Sequence, residues 1–201
     1  MSQNQKALDK SPLRPVPTMG MLEYIIGGAA VLISAISLAL AISANRTQER
    51  LLAASTWPFL QYYTGNRADD GSSSISFSLQ NAGVGPARVR SVQVEYGGQM
   101  QPDARSLLDA CCGAAGRPAR MITSAPERVL TATELVTFFR FDEADADPDI
   151  WARLNSERFK VRVKACYCSV LGDCWMYDST VRDAEALPGC PEISEESRWH
   201  G

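Results

Sequence analysis

The chain has 201 residues, of which 45% are hydrophobic and 21% are charged, and its formal net charge is −3. This length suits one domain with appended segments. The slight acidic excess, together with the absence of any long run of lysine or arginine, excludes the concentrated basic face that nucleic-acid binding requires. We therefore expect no nucleic-acid partner.

The N-terminal part of the sequence predicts a membrane helix. Residues 1–20 are polar and contain three prolines, which indicates a disordered segment. The following segment, 21–44, contains the uncharged run YIIGGAAVLISAISLALAI from Tyr24 to Ile42. At a rise of about 1.5 Å per residue, this run covers close to the ~30 Å hydrocarbon core of a bilayer. We predict a transmembrane helix here, with the lipid bilayer as one partner.

Two interpretations of this apolar segment remain open. As a signal-anchor it is retained, and the protein is a single-pass membrane protein. As a signal peptide it is removed, because Ala39-Leu40-Ala41 has the small-x-small form of a cleavage site. The long region before Tyr24 favours the anchor.

The orientation of the span is predicted from its flanks and from the cysteines. Three basic residues precede the span and two follow it closely, which is a weak positive-inside bias. These residues are Lys6, Lys10, Arg14, Arg46 and Arg50. All the cysteines lie after the span, as an oxidising compartment would favour. We expect a cytoplasmic N-terminus and an extracytoplasmic C-terminal domain, facing the periplasm from a bacterial inner membrane.

The rest of the chain has the pattern of a mainly β domain. Residues 45–56 are predicted to continue the helix as a juxtamembrane linker. Apolar residues at every second position predict strands at 75–79, 92–96, 135–141, 159–165 and 174–178. Short helices are expected at 103–112 and from Pro148, where Asp147 can cap the first turn. We predict an antiparallel immunoglobulin- or fibronectin-like β-sandwich over residues 57–182, followed by a C-terminal tail at 183–201.

The sequence NAGVGPA connects the first two predicted strands. Gly83 and Gly85 permit positive φ, Pro86 fixes the exit of the turn, and Asn81 can bond the local backbone. The stretch resembles the N-x-G-x-G-P-A turn of bacterial single-span membrane proteins of uncharacterised function and of adhesion-type immunoglobulin-like domains. This resemblance implies architecture and no chemistry.

The cysteines carry the main chemical hypotheses. They are Cys111, Cys112, Cys166, Cys168, Cys174 and Cys190. Residues 166 and 168 of one strand project to one face, and a three-residue turn at 171–173 would bring the third cysteine of CYCSVLGDC to that face. In the structural interpretation, the helix that ends at 112 is stapled to this face and Cys190 fastens the tail. The same turn places Cys168 diagonally from Cys174, which disfavours a bond between them. A bond between the adjacent Cys111 and Cys112 is disfavoured as well, because it would be strained.

Two alternatives to structural disulfides remain open. A zinc site could use several of these thiolates, although their spacing is not that of a zinc ribbon. A redox-active dithiol would be favoured by the neighbouring ladder of Lys160, Arg162 and Lys164. The predicted function that follows is either a thiol–disulfide or a metal-handling protein that uses Cys166, Cys168 and Cys174.

No catalytic constellation is present in the sequence. The single histidine, His200, is next to the C-terminus, which disfavours Ser-His and Cys-His pairs and zinc hydrolase motifs. The acidic stretch at 142–149 lacks the pattern of an EF-hand loop. We therefore predict no enzyme activity, no cofactor and no bound metal. The leading hypothesis is a membrane-anchored domain that binds other membrane or periplasmic proteins, as an accessory subunit of a membrane assembly would.

Overall fold

The computed structural model describes residues 20–201, so the predicted disordered segment lies almost wholly outside the described residues. One long N-terminal helix is followed by antiparallel sheets and a few short helices, as the sequence predicts. The chain divides into two compact units between Glu49 and Arg50.

Helix α1 runs without interruption from Met21 to Ser55. It therefore combines the predicted membrane helix and the predicted linker in one element. None of its residues is buried, and it is long and apolar enough to cross a membrane. A helix with these properties near an N-terminus fits either a membrane anchor or a signal sequence. The helix ends where Pro58 follows, because the residue before a proline disfavours helical φ and ψ.

Ten strands and two α-helices follow α1 in the second unit. In chain order they are β1 (Leu60–Arg67), β2 (Ser73–Asn81), β3 (Ala87–Tyr96), β4 (Gln99–Gln101), α2 (Ala104–Cys112), β5 (Ile122–Thr123), β6 (Val129–Leu130), β7 (Leu135–Asp142), α3 (Pro148–Glu157), β8 (Arg162–Cys168), β9 (Cys174–Asp178) and β10 (Glu185–Leu187). One sheet has the order β1-β2-β7-β5 and the other β10-β9-β8-β3-β4, with β6 paired to β3. All of the pairings are antiparallel.

Both sheets contribute to one apolar core. Phe77 on β2 stacks on Phe139 of β7 with ring centroids 4.8 Å apart. From the other sheet, Val92, Val94 and Val163 are fully buried in the same cluster. Burial of such side chains is the main favourable term in the folding of the domain.

The alternating pattern identified the main strands. Ile75, Phe77 and Leu79 are fully buried on β2, as predicted. Strand β9 occupies the predicted residues 174–178. Both short helices form: Asp103 caps α2 through the amide of Ser106 at 2.7 Å, and Asp147 caps α3 as predicted.

Two residues assigned to the apolar faces of strands are exposed instead. Leu135 lies outside because the register of β7 against β2 shifts at Phe138, so that Phe138 and Phe139 are both buried. Phe159 precedes β8 in a 3-10 turn, 70% exposed, with the Arg158 guanidinium 4.1 Å from its ring centroid.

Residues 183–201 belong to the domain and are not a loose tail. Strand β10 pairs with β9, and Trp199 is 1% exposed, with Phe138 packed edge-on against its ring. The backbone amide of Trp199 donates to the carbonyl of Val92 at 2.9 Å, and that of His200 to Pro102 at 2.8 Å. A single tryptophan between polar residues has no periodicity, so the pattern could not reveal this docking.

Candidate functional site

The strand-turn motif and the cysteines of the β8–β9 hairpin lie at the same end of the two sheets, which we call the Asn81 end. Asn81 ends β2, and Arg88 near the start of β3 pairs directly with Cys168 at the end of β8. Cys168 in turn pairs with Cys174 at the start of β9. Because the turn after β2 leads into β3, most of the sequence-predicted site residues are brought to one end of the domain.

Asn81 is the buried centre of the turn. Its amide nitrogen donates to the carbonyl oxygens of Gly85, Leu130 and Thr131 at 2.8, 3.1 and 3.1 Å. Its side-chain oxygen accepts from the backbone amides of Phe59 and Gly83 at 3.2 and 3.1 Å. Since buried polar groups need partners, this side chain bonds to five backbone groups, with its two amide hydrogens shared among three carbonyls. The motif therefore has a structural task.

The two glycines serve this turn in a different way from the predicted one. Neither Gly83 nor Gly85 has a positive φ. Instead, a Cβ atom at Gly83 would lie 2.6 Å from the carbonyl oxygen of Trp57, and one at Gly85 would overlap the backbone of Thr56. The backbone after α1 crosses directly over the turn, and only glycine leaves room for it.

Hydrogen bonds hold this crossing in place. The amides of Val84 and Gly85 both donate to the carbonyl of Trp57, at 3.0 and 3.2 Å. Pro86 is half-buried directly before β3, where its fixed φ suits the start of a strand. Residues 57–59 are thus attached to the sheets by the turn.

The six cysteines form three pairs at disulfide distance. These are Cys111–Cys112, Cys166–Cys190 and Cys168–Cys174, and none of the six is free. Cys190 holds the C-terminal segment to β8, as the structural interpretation expects. The predicted staple between α2 and β8 is absent from the described residues, because Cys111 pairs with Cys112. The expectation that these adjacent cysteines do not bond is therefore wrong.

The geometry of the β8–β9 hairpin corrects the expectation for Cys168 and Cys174. The loop has five residues, Ser169 to Asp173, and is closed by the Ser169 amide, which donates to the carbonyl of Asp173 at 2.8 Å. With five loop residues instead of three, the two cysteines stand directly opposite each other. Their Cα atoms are 4.0 Å apart, so a bond joins them without a diagonal reach.

The sulfur atoms of two disulfides are close neighbours. The Sγ atom of Cys168 lies 3.8 Å from that of Cys190, although each is bonded to another partner. The sulfurs of Cys168, Cys174 and Cys190 all lie within 4.8 Å of one another. Cys166, the partner of Cys190, is fully buried beside them. We call these four cysteines the sulfur cluster.

The basic ladder on β8 is neutralised by acidic neighbours. Arg162 binds both carboxylate oxygens of Asp178, with Nε to Oδ1 at 3.0 Å. Hydrogen bonds from this guanidinium hold the pKa of Asp178 well below its usual range. Lys164 lies 4.0 Å from the same carboxylate, and Lys160 pairs with Glu157. The positive charges of the ladder are therefore compensated by carboxylates and do not favour thiolates at the nearby cysteines, as the redox interpretation requires.

Exposed apolar side chains surround the Asn81 end, a feature that the sequence analysis missed. Trp57 is 50% exposed and Val84 is 65% exposed. The tip of the β8–β9 hairpin adds two exposed residues, Val170 and Leu171, and Val129 on β6 a fifth. Apolar residues in turns between polar neighbours show no period, so only the fold reveals their common location.

Comparisons of this chain with protein-family models, with curated protein sequences and with solved structures found no match.

Proposed function

We propose that this chain is a single-pass membrane protein whose C-terminal domain binds partner proteins and carries out no catalysis. Helix α1 is the anchor, with the N-terminus in the cytoplasm and the domain on the extracytoplasmic side. The length, apolar composition and exposure of Met21–Ser55 support the anchor. An exposed apolar helix of this kind is stable in lipid and unfavourable in water.

The strand order supports an immunoglobulin-like domain within this proposal. Constant-type immunoglobulin sheets contain strands A-B-E-D and C-F-G. The order β1-β2-β7-β5 corresponds to A-B-E-D, and β3-β8-β9 corresponds to C-F-G. Domains of this architecture commonly serve in cell-surface and adhesion proteins. The architecture by itself carries only this general expectation.

The pairing of the cysteines supports the extracytoplasmic location. All six lie in disulfide geometry, and such bonds persist in oxidising compartments and are rare in the cytosol. The Cys166–Cys190 pair spans a sequence separation of 24 and secures the segment that carries Trp199. A disulfide at this position suits an oxidising compartment.

The observation that carries the binding function is the group of exposed apolar side chains at the Asn81 end. Exposed apolar surface on a folded domain marks contact sites for proteins or membranes. Here the side chains of Trp57, Val84 and Val170 come from three separate segments that the fold brings to one end. Tryptophan is also among the residues that dominate binding energy at protein interfaces.

Site-specific photo-crosslinking in the native membrane tests this proposal. A photoreactive amino acid is placed at Val84, at Val170 or, as the control, at exposed Asp69 in the β1–β2 turn. We expect one defined adduct of the same mass from both apolar positions and none from Asp69. Equal labelling from all three positions, or only monomer from the apolar pair, would contradict the proposal.

A further inference from the structure

We propose that the sulfur cluster is a thiol–disulfide exchange site whose substrate is a protein dithiol. The cluster contains two disulfides side by side, Cys166–Cys190 and Cys168–Cys174. The Sγ atoms of Cys168 and Cys190, which belong to different disulfides, lie 3.8 Å apart. This activity is separate from partner binding at the apolar side chains and is tested on the purified chain alone.

The contact between Cys168 and Cys190 is the observation on which the exchange depends. Disulfides isomerise when a thiolate attacks a sulfur of another disulfide. At 3.8 Å, the two Sγ atoms are near van der Waals contact, so a thiolate formed at Cys168 has its target already beside it. Prior positioning of this kind removes most of the entropic cost of a bimolecular step.

The sulfur cluster borders the exposed tip of the β8–β9 hairpin. The tip residues Val170, Leu171 and Gly172 are exposed, whereas Cys166 is fully buried. Cys174, directly after the tip, is 7% exposed, and Cys190 is half-buried. The proposed exchange starts at the Cys168–Cys174 bond, which joins the two ends of this exposed loop.

The exchange begins with attack from outside. A thiolate of the substrate dithiol attacks Sγ of Cys174, forms a mixed disulfide and releases Cys168 as a thiolate. This thiolate attacks Sγ of Cys190, which forms Cys168–Cys190 and breaks Cys166–Cys190. Cys166 leaves as a thiolate and takes up a proton.

The second thiolate of the substrate closes the cycle. It attacks its own sulfur in the mixed disulfide, so that the substrate leaves with an internal disulfide and Cys174 takes up a proton. The substrate loses two electrons and two protons, and the domain gains both. One disulfide, Cys168–Cys190, remains in the cluster beside the thiols of Cys166 and Cys174.

In the product, the Cys168–Cys190 bond still attaches the C-terminal segment to β8. The native bond to Cys190 has a sequence separation of 24, and the bond from Cys168 to Cys190 has one of 22. Because the constraint on the unfolded chain depends only weakly on loop length, the two linkages stabilise the domain to a similar degree. Trp199 therefore stays docked in both states.

Two single variants of the full chain, oxidised in mild detergent, test the exchange. In Cys174→Ser, the free thiol starts at Cys168 and we expect it to be found at Cys166 as well. In Cys166→Ser, the free thiol starts at Cys190 and we expect it at Cys174 as well. Acid quenching, alkylation and peptide mass mapping locate the thiol. A thiol that stays at its starting residue in either variant contradicts the proposal.

The control variant is Cys111→Ser, which frees Cys112 outside the cluster. Here we expect the label only at Cys112, with the four cluster cysteines blocked. Labelling of the cluster in this control would show unspecific scrambling and would also contradict the proposal. Far-UV circular dichroism of each variant checks that it is folded.

A measurement on the unmodified chain does not depend on the variants. The oxidised protein is mixed with one equivalent of reduced thioredoxin as the dithiol, quenched over time and mapped. We expect early molecules with a Cys168–Cys190 bond and label at Cys166 and Cys174. Early molecules with an intact Cys166–Cys190 bond and label only at Cys168 and Cys174 would overturn the exchange.

Discussion

The side-chain nitrogen of Asn81 donates a 2.8 Å hydrogen bond to the carbonyl oxygen of Gly85, and the backbone of Thr56 passes directly over that glycine. These contacts hold the residues that follow α1 against the turn between β2 and β3. The glycine provides the space and the asparagine provides the hydrogen bonds. Each contribution can be removed separately.

Asn81→Ala should be one of the most destabilising polar substitutions in the domain. It removes five hydrogen bonds and leaves buried amide and carbonyl groups, including those of Phe59 and Leu130, without partners. At about 1 kcal/mol for each lost bond, we expect a loss of at least about 3 kcal/mol in the free energy of unfolding. Urea unfolding of the solubilised chain measures it.

The matched control is Gln80→Ala, because Gln80 makes one side-chain bond of 3.3 Å to the carbonyl of Thr133. We expect this change to cost no more than about 1 kcal/mol. Similar losses for the two variants would argue against a special role for the asparagine.

Gly85→Ala tests the close approach of the backbone. Its Cβ would overlap the backbone of Thr56, and backbone cannot move aside as a flexible side chain can. We expect a loss of about 2 kcal/mol or more from this overpacking. Gly189→Ala is the control, since its Cβ would meet no atom within 4 Å and its φ is not positive.

For the control we expect a change of at most about 0.5 kcal/mol in the free energy of unfolding. Thermal unfolding of both variants provides the comparison. If Gly85→Ala unfolds at the same temperature as the control variant, the crossing of Thr56 over the turn is not as close as the structure shows.

Trp199→Ala tests whether the C-terminal segment is part of the core. The indole is 1% exposed and packs edge-on against Phe138 with centroids 5.7 Å apart. Removal of a buried aromatic side chain of this size costs about 3–5 kcal/mol. Trp57→Ala, at a half-exposed tryptophan, should change the free energy of unfolding by less than about 1 kcal/mol. Equal effects in urea unfolding would contradict the docking of the segment.

Asp178→Asn should change the acid stability of the domain. Hydrogen bonds from Arg162 lower the pKa of Asp178 in the folded state, so the ionised pair stabilises the fold above the unfolded pKa of about 4. This contribution is lost as the pH falls through the folded pKa. The variant should lose about 2 kcal/mol at neutral pH and show a flatter decline below about pH 4.

Chemical unfolding at a series of pH values between neutrality and strong acid measures this dependence. The control is Asp173→Asn on the exposed hairpin loop, which should leave the profile unchanged. An Asp178→Asn profile parallel to that of the unmodified chain would show that the pair does not couple folding to protonation.

The main strands could be predicted because their apolar and polar side chains alternate. Ile75, Phe77 and Leu79 bury one face of β2 because a strand turns successive side chains to opposite faces. The same rule failed at β7, where the extra residue Phe138 reverses the pattern and places Leu135 outside. A bulge of this kind leaves no signal in a single sequence.

The site was less accessible to sequence reasoning than the strands. Glycine spacing indicated a tight turn but not its cause, since the constraint at Gly85 comes from Thr56, which lies on another segment. The pairing of Cys168 with Cys174 depends on the length of the β8–β9 loop. The sequence predicts three loop residues instead of five, which places the two cysteines diagonally and not opposite each other. Trp199 reaches the core through a fold contact that has no local pattern.

The proposed topology is tested most directly by protease protection in sealed membrane vesicles of inverted orientation. If α1 anchors the chain with its domain on the extracytoplasmic side, a protease added outside these vesicles should leave a fragment that contains Trp57 to Gly201. The fragment should disappear when detergent opens the vesicles. Digestion of the domain in intact vesicles would place it in the cytoplasm and contradict the proposed topology.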